Sequence, residues 1–240
     1  MSNLEGVVSG DENKGGPAVL PFYVVCDESS SMAGDSIDAV NQGIGELFRT
    51  IHNDPIVDAK ARVGIVTFND TARVLLPLTR LSAISSTPGC VATGSTSYAS
   101  VFRLLKTQIE SDIPPLKTEG FRVHRPMIFF ISDGSPNLED WQTAYAELTD
   151  QSFAFRPNIV SFGVAGAQAS VIKEVSTPLT VGDGKKQSFA FLGEQGVNPG
   201  AALNEIMKFI TGTIVSSARQ DTPTMTIPDN IPGVLIIDSV

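Results

Sequence analysis

The chain has 240 residues, of which 17 are basic and 26 are acidic, and its formal net charge is -9. This balance argues against a general nucleic-acid-binding protein, because phosphate affinity comes largely from clustered lysine and arginine. At 42% hydrophobic and 18% charged, the chain has enough apolar side chains to fold around a core.

The only two cysteines, Cys26 and Cys90, are too few for a disulfide framework or a four-thiolate zinc site. Cys26 is predicted to be a buried free thiol.

The first twenty residues lack the basic start and apolar stretch of a signal peptide, and no apolar run approaches the ~20 residues that span a bilayer. We therefore expect a cytoplasmic protein without a membrane partner. The polar, glycine-bearing segment 1–17 is predicted to be a flexible tail, and 18–220 to be one folded domain. Prolines exclude a helix through most of the tail 221–240, which we expect to lie along the domain or to join a partner's sheet.

Strands and helices alternate along the folded part of the chain. Continuous apolar runs predict strands buried on both faces, and apolar residues three or four apart predict amphipathic helices. The segment 72–78 follows the second run after only three residues, which is too short for a parallel crossover, so it is predicted to be an antiparallel edge strand. In chain order the predicted elements are strand 20–26, helix 37–51, strands 63–68 and 72–78, helix 102–109, strand 127–131, helix 141–148, strands 159–164 and 188–192, and helix 203–210.

This alternation predicts an α/β fold with a doubly wound, mostly parallel central sheet, flanked by helices and bearing one antiparallel edge strand. In such sheets, ligands bind in the crevice beyond the carboxyl ends of the strands. The residues that follow the predicted strands are therefore the first place to look for a functional site.

The first buried strand is followed by an Asp-x-Ser-x-Ser pattern formed by Asp27, Ser29 and Ser31. Alternate positions of an extended segment point to the same side, so the three oxygen-bearing side chains can converge. A serine-rich loop before a helix is also a common cap or turn, so this pattern alone leaves both readings open.

Two further segments reach the same edge of the predicted sheet. Asp133 follows the strand 127–131, and Thr96 lies in a loop before the helix 102–109. Asp133 could simply form a turn with Gly134, and Thr96 could belong to a helix cap, but their joint occurrence with the first pattern favours a shared site. Hydroxyl and carboxylate oxygens suit Mg²⁺ or Mn²⁺ better than zinc, which prefers thiolate and imidazole.

The order and spacing of Asp27-x-Ser29-x-Ser31, Thr96 and Asp133-Gly134 resemble the metal-ion-dependent adhesion site (MIDAS) of von Willebrand factor A (VWA) domains. The resemblance extends over roughly 21–219, so the segment 18–220 is identified as a VWA domain. It implies that Ser29, Ser31 and Thr96 supply hydroxyl oxygens, and that Asp27 and Asp133 bind directly or through water. Two departures are Ser95, where the family often has glycine, and Glu28, a carboxylate expected to point away from the metal.

More narrowly, the segments 32–41 and 132–137 resemble the bacterial TerY-type branch that is associated with tellurium resistance. This resemblance implies a metal-dependent adaptor in a tellurite or stress response, with a protein partner that supplies an acidic side chain. Such domains are associated with protein kinases and phosphatases.

Enzymes fit the sequence less well, so no catalytic residue is predicted. A phosphatase of the haloacid dehalogenase kind would have a second aspartate where Ser29 stands, and no P-loop motif is present. His52 and His124 are predicted at the opposite end of the sheet from Ser29, as surface or cap residues, which disfavours a serine hydrolase. The densest basic run, 122–125, is read as a solvated loop. A Mg²⁺-dependent phosphoryl-transfer enzyme and an adhesion module remain the alternatives.

Overall fold

The structure is a computed structural model that describes residues 4–7, 15–134, 136–137, 140–164, 166–180, 186–228 and 230–239. Its strands are β1 (Leu4–Val7), β2 (Ala18–Asp27), β3 (Ala61–Phe68), β4 (Ala72–Thr79), β5 (Arg122–Val123), β6 (Met127–Ser132), β7 (Asn158–Gly163), β8 (Pro178–Thr180), β9 (Lys186–Gly193), β10 (Thr224–Ile227) and β11 (Val234–Ser239). Its α-helices are α1 (Asp35–His52), α2 (Pro55–Lys60), α3 (Tyr98–Thr118), α4 (Trp141–Thr149), α5 (Ala169–Val175) and α6 (Pro199–Gln220).

The central sheet has the strand order β11-β9-β7-β6-β2-β3-β4, with β5 pairing to β2 and β8 to β9. Strands β9, β7, β6, β2 and β3 run parallel to one another, whereas β4 is antiparallel to β3. The predicted fold class and the predicted antiparallel edge strand are therefore confirmed. The opposite edge is also antiparallel, because β11 pairs with β9 in that direction.

The apolar side chains of the sheet alternate between two helical layers. Along β2, Phe22 and Val24 belong to a core shared with α1 and α6, whereas Tyr23 and Val25 belong to a core shared with α3 and α4. Successive side chains of a strand point to opposite faces, which is why a strand covered on both sides reads as a continuous apolar run. Cys26 and Cys90 are both buried free thiols, as predicted for Cys26.

The register of β2 sets the position of the site. Cys26 lies opposite Ile131 of β6, and Asp27 lies opposite Phe68 of β3. The carboxyl ends of these three parallel strands therefore meet at one edge of the sheet.

The described residues of the predicted C-terminal tail, 221–228 and 230–239, pack on their own domain. Strand β10 pairs with β1, which lies inside the predicted N-terminal tail, and β11 extends the central sheet. Met225, Ile231 and Val234 are buried in the core that contains α1 and α6. Residues 1–3 and 8–14 of the predicted N-terminal tail lie outside the described residues. No helix in the described part of the chain is both long enough and apolar enough to cross a membrane.

Candidate metal centre

Asp27 is the last residue of β2, and both of its carboxylate oxygens are held by hydrogen bonds. The backbone N–H of Ser29 donates to Oδ1 at 2.8 Å, and the hydroxyl of Ser132 donates to Oδ2 at 2.7 Å. The side chain is fully buried. Asp27 is thus fixed in place by its own loop and by the end of the neighbouring strand β6.

Ser29 connects the first loop to Asp133, which directly follows β6. The hydroxyl oxygens of Ser29 and Ser31 lie 3.1 Å apart, and the Ser29 hydroxyl donates to Oδ1 of Asp133 at 3.5 Å. Ser29 precedes a 3-10 helix, Ser30–Met32, and this turn keeps the loop close to the sheet. The other carboxylate oxygen of Asp133, Oδ2, is buried without a hydrogen-bond partner among the described residues.

Thr96 comes from the loop before α3 and lies beside the Asp133 loop. The backbone N–H of Asn137 donates to the carbonyl oxygen of Thr96 at 2.9 Å, and the Asn137 side-chain amide donates to the Ser95 hydroxyl at 3.1 Å. A Cβ atom added at Gly134 would lie 3.6 Å from the Thr96 hydroxyl oxygen, so the two loops are in close contact. The structure therefore brings together all five predicted residues, Asp27, Ser29, Ser31, Thr96 and Asp133.

Glu28 faces away from this group of side chains. Its buried carboxylate accepts two hydrogen bonds from Nη2 of Arg73, at 2.9 and 3.0 Å, and a third from the backbone N–H of Val91 at 2.9 Å. Its carbonyl oxygen accepts a hydrogen bond from Thr93 at 2.6 Å. Glu28 therefore ties the loop that carries Thr96 to the end of β2.

The two aspartates of the site lack a cationic partner in the part of the chain that the structure describes. Neither Asp27 nor Asp133 forms an ion pair within the described part of the chain. Burial raises the pKa of Asp27 to about 6, although hydrogen bonds from Ser29 and Ser132 act in the opposite direction. Burial also raises the pKa of Asp133. Both carboxylates are therefore held in surroundings that disfavour their charge unless a cation is added.

These donors fit a hard divalent cation. Three hydroxyls and two carboxylates offer oxygen atoms only, and Asp133 has an unused buried oxygen. The described residues contain no group of three or more histidine, cysteine, aspartate and glutamate side chains that could hold a metal ion. A metal bound at this edge would therefore depend on hydroxyl oxygens, which suits Mg²⁺ or Mn²⁺.

Sequence reasoning missed three residues that position the site. The sequence offered a signal for Ser132 and Asn137, because both lie in the segment 132–137 and Ser132 is the polar residue at the end of an apolar strand. Their roles follow only from the hydrogen bonds to Asp27 and Thr96. Arg73 gave no sequence signal, because its contact with Glu28 joins residues that are 45 positions apart. Ser135, within the same segment, lies outside the described residues.

Comparison of this chain with a known family and with solved structures agrees with the observed fold. A family model described as the von Willebrand factor type A domain matches residues 22–135. A solved structure, the von Willebrand factor type A protein from Catenulispora acidiphila, superposes with a TM-score of 0.55 and 14% identity, covering 82% of this chain and 43% of that one. The chain has the VWA fold.

A second similar structure is proximal thread matrix protein 1 from the mussel byssus, described as having a zinc-occupied MIDAS motif. It superposes on this chain with a TM-score of 0.53 and 15% identity, covering 83% of this chain and 48% of that one. At these identities the likeness shows the fold alone. The chain spans less than half the length of these solved chains. No curated protein matches the sequence.

Proposed function

We propose that this VWA domain is a metal-dependent protein-interaction module that binds the carboxylate of a protein partner. The observation that carries the proposal is the pair of buried carboxylates, Asp27 and Asp133, which lie beside three hydroxyls and have no cationic partner among the described residues. Ser29, Ser31 and Thr96 would hold the ion together with these two aspartates. When bound, Mg²⁺ or Mn²⁺ supplies positive charge, and an acidic side chain of a partner can complete its coordination sphere.

The net charge of the domain does not prevent such an interaction. Repulsion from surface carboxylates is screened over roughly 8 Å at physiological salt, whereas attraction at the site acts at contact distance. Among the described residues the site has two carboxylates, Asp27 and Asp133, and the nearby Glu28 is paired with Arg73. A divalent ion that keeps an open coordination position there can bind an acidic side chain of a partner despite the formal charge of -9.

The proposed metal is Mg²⁺ or Mn²⁺ rather than zinc. The zinc in the mussel protein shows that a site described as a MIDAS can hold a divalent ion in that protein. In this chain, the five donors are all hard oxygen atoms, which match the preference of Mg²⁺. Competition between the metals, measured by calorimetry on the purified protein, would rank them.

We propose a cellular role as an adaptor in a bacterial tellurite or stress response. The resemblance of the segments 32–41 and 132–137 to the TerY-type branch supports this role. It suggests partners associated with protein kinases or phosphatases, in the cytoplasm. An adhesion module is the alternative within the same class of function.

The domain is proposed to act without catalysis. A phosphoryl-transfer enzyme would use the same metal but needs a general acid or base beside its nucleophile. The position two residues after Asp27 is a serine, which cannot act so at neutral pH. Turnover of a generic phosphate ester by the purified protein, lost in Asp27→Ala, would establish the enzyme instead.

The test of the interaction is capture of partners from an extract of the native host, with Mg²⁺ and with chelator. Asp27→Ala and Asp133→Ala are expected to lose metal and partner together. Thr96→Ala should weaken the partner more than the fold, because Thr96 lies in a loop that joins the sheet through Glu28 and Asn137. Glu110→Ala, which removes an exposed carboxylate from α3, is the matched control and should bind as wild type.

Metal content is measured on the same samples. Capture that persists in chelator, or in folded Asp133→Ala, would show that the partner uses another surface. Absence of any bound divalent ion in excess Mg²⁺ or Mn²⁺ would overturn the metal site itself.

A further inference from the structure

A second pocket lies at the opposite end of β6 from the metal centre. It is formed where the end of α3 meets the segment before β6 and the segment before β7, and its volume is about 300 Å³. Strand β6 has six residues, so the two sites are separated by roughly 20 Å along the sheet. We call this cavity the basic pocket, and the residues that line it are Ile113, Lys117, Val123, His124, Arg125, Pro126, Ala154, Phe155 and Arg156.

The lining of the basic pocket carries positive charge only. Lys117, Arg125 and Arg156 contribute cationic groups, and none of the lining residues is acidic. Nζ of Lys117 lies 5.1 Å from the centre of the Phe155 ring, and Arg156 donates from Nη1 to the carbonyl oxygen of Gln151 at 2.9 Å. These contacts hold two of the cations in place. Such a concentration of positive charge is unexpected on a chain whose formal charge is -9.

Buried hydrogen-bond donors accompany these cations. His124 is 6% exposed, and neither of its ring nitrogens has a hydrogen-bond partner among the described residues. The interpretation of His124 as a surface or cap residue is therefore wrong. Asn158 is 3% exposed, and its side-chain Nδ2 also lacks a partner within the described part of the chain. The backbone N–H of Asn158 donates to the carbonyl oxygen of Pro126 at 2.8 Å, but Asn158 is not among the residues that line the pocket.

Buried polar groups without a hydrogen-bond partner are costly, so they need an explanation. Burial and then the charge of Arg122 lower the pKa of His124, against the opposing influence of the backbone and the carboxylate of Asp221. The carboxylate of Asp221 is itself engaged by Lys60, at 2.7 Å. An acceptor with negative charge in the pocket would satisfy the N–H of the His124 ring and the cations.

We propose that the basic pocket binds a small anion of the phosphate class, either free phosphate or the phosphate group of a small molecule. Arginine presents a fork of donors that matches phosphate oxygens, and Arg125 and Arg156 stand on different chain segments of the pocket. The volume lies at the lower limit for small-molecule pockets, so the ligand is small. The anion would join the end of α3 to the segments that begin β6 and β7, independently of the metal centre.

The test is a titration of the full chain with inorganic phosphate, followed by calorimetry and by thermal unfolding at constant ionic strength set with chloride. Saturable binding and a rising melting temperature are expected. Lys117→Gln and Arg156→Gln should each weaken binding about tenfold or more, with melting temperatures near wild type in the absence of phosphate. Arg103→Gln, which removes an exposed arginine near the start of α3, is the control and should bind within about twofold of wild type.

Three results would overturn the proposal. The first is a phosphate effect that does not saturate or that chloride reproduces. The second is unchanged affinity in both variants. The third is loss of phosphate binding in chelator or in Asp133→Asn, which would place the anion on the metal centre.

A lipid headgroup is separated from a soluble phosphate by vesicles of phosphatidylcholine with and without phosphatidic acid. Free phosphate should bind and should compete with any binding to the acidic vesicles. Vesicle binding without binding of free phosphate would show that the surface recognises membranes and that the small-anion proposal is wrong.

Discussion

Asp58 and Asp133 are both buried aspartates, but their surroundings differ. The carboxylate of Asp58 accepts hydrogen bonds from Arg80 at 2.8 Å, from the Ser82 hydroxyl at 2.7 Å and from the Ser82 backbone N–H at 2.9 Å. Asp133 receives a bond of 3.5 Å from Ser29, and its Oδ2 is without a partner in the described structure.

The pKa values of the two groups move in opposite directions. Burial acts to raise the pKa of Asp58, but the bonds from Ser82 and Arg80 outweigh it and leave the pKa below its ordinary value. Burial raises the pKa of Asp133, and the bonds from the nearby serines do not compensate. At Asp58 the chain supplies its own cation and the carboxylate stabilises the fold. At Asp133 no such cation is present among the described residues. A metal ion from solution can supply the missing positive charge there.

Asp58→Ala should give the largest loss of stability, about 3 kcal/mol in the free energy of unfolding. The substitution removes charged hydrogen bonds to Ser82 and Arg80 that join α2 to the segment after β4. Urea denaturation measures the loss. Glu205→Ala, which breaks an exposed pair with Lys208, is the control and should cost less than about 0.5 kcal/mol. Equal losses in both variants would contradict the structural role of Asp58.

Divalent metal should have the next largest effect, through Asp133. A ligand at one hundred times its dissociation constant stabilises the folded state by about 2.7 kcal/mol if it binds only that state. We expect Mg²⁺ or Mn²⁺ to raise the melting temperature of wild type and of Asp58→Asn, but not of Asp133→Asn. An unchanged melting curve and unchanged metal content in wild type would show that the site binds no metal.

Asp133→Asn in chelator should have a small effect, within about 1 kcal/mol of wild type or slightly stabilising. The amide has the same shape as the carboxylate and removes a buried charge that lacks a cation. Urea denaturation with chelator measures this difference. A loss as large as that of Asp58→Ala would show that Asp133 supports the fold without metal, and the contrast between the two aspartates would fail.

The pH dependence of Asp58 gives the smallest and most specific signal. Its pKa is lowered in the folded state, so its contribution is fully present above the unfolded pKa of 3.8 and is lost as the pH falls through the folded value. The difference in stability between wild type and Asp58→Asn should therefore shrink as the pH falls below 3.8. Denaturation of both proteins in chelator at several acidic pH values measures it. A difference that stays constant would argue against the ionised carboxylate as the source.

Much of the fold could be predicted from the sequence because each central strand is buried on both faces. The run at 20–26 lies within β2, and the stripe at 37–51 lies within α1. The five site residues could be chosen because the carboxyl ends of parallel strands share an edge, and the structure places all five there. Their binding of metal remains a prediction.

The rest depended on contacts between distant segments. The C-terminal segment has prolines and short apolar runs, which exclude a helix but do not reveal that β11 pairs with β9. The buried position of His124 follows from the packing of β5 beside β2, where the two-residue strand is too short to give a periodic signal. The bond between Glu28 and Arg73 likewise exists only once β4 has folded back on β3.

The antiparallel edge formed by β11 has a consequence during synthesis. Strand β9 contributes Phe189 and Phe191 to the core, but its outer edge is covered only when β11 has been made, roughly 40 residues later. At ~5 to 20 residues per second, this interval is about 2 to 8 s. During that time the unpaired backbone groups of β9 can pair with other chains. Ribosome-bound nascent chains that end before Val234 should therefore recruit chaperones more strongly than chains in which β11 has left the ribosome.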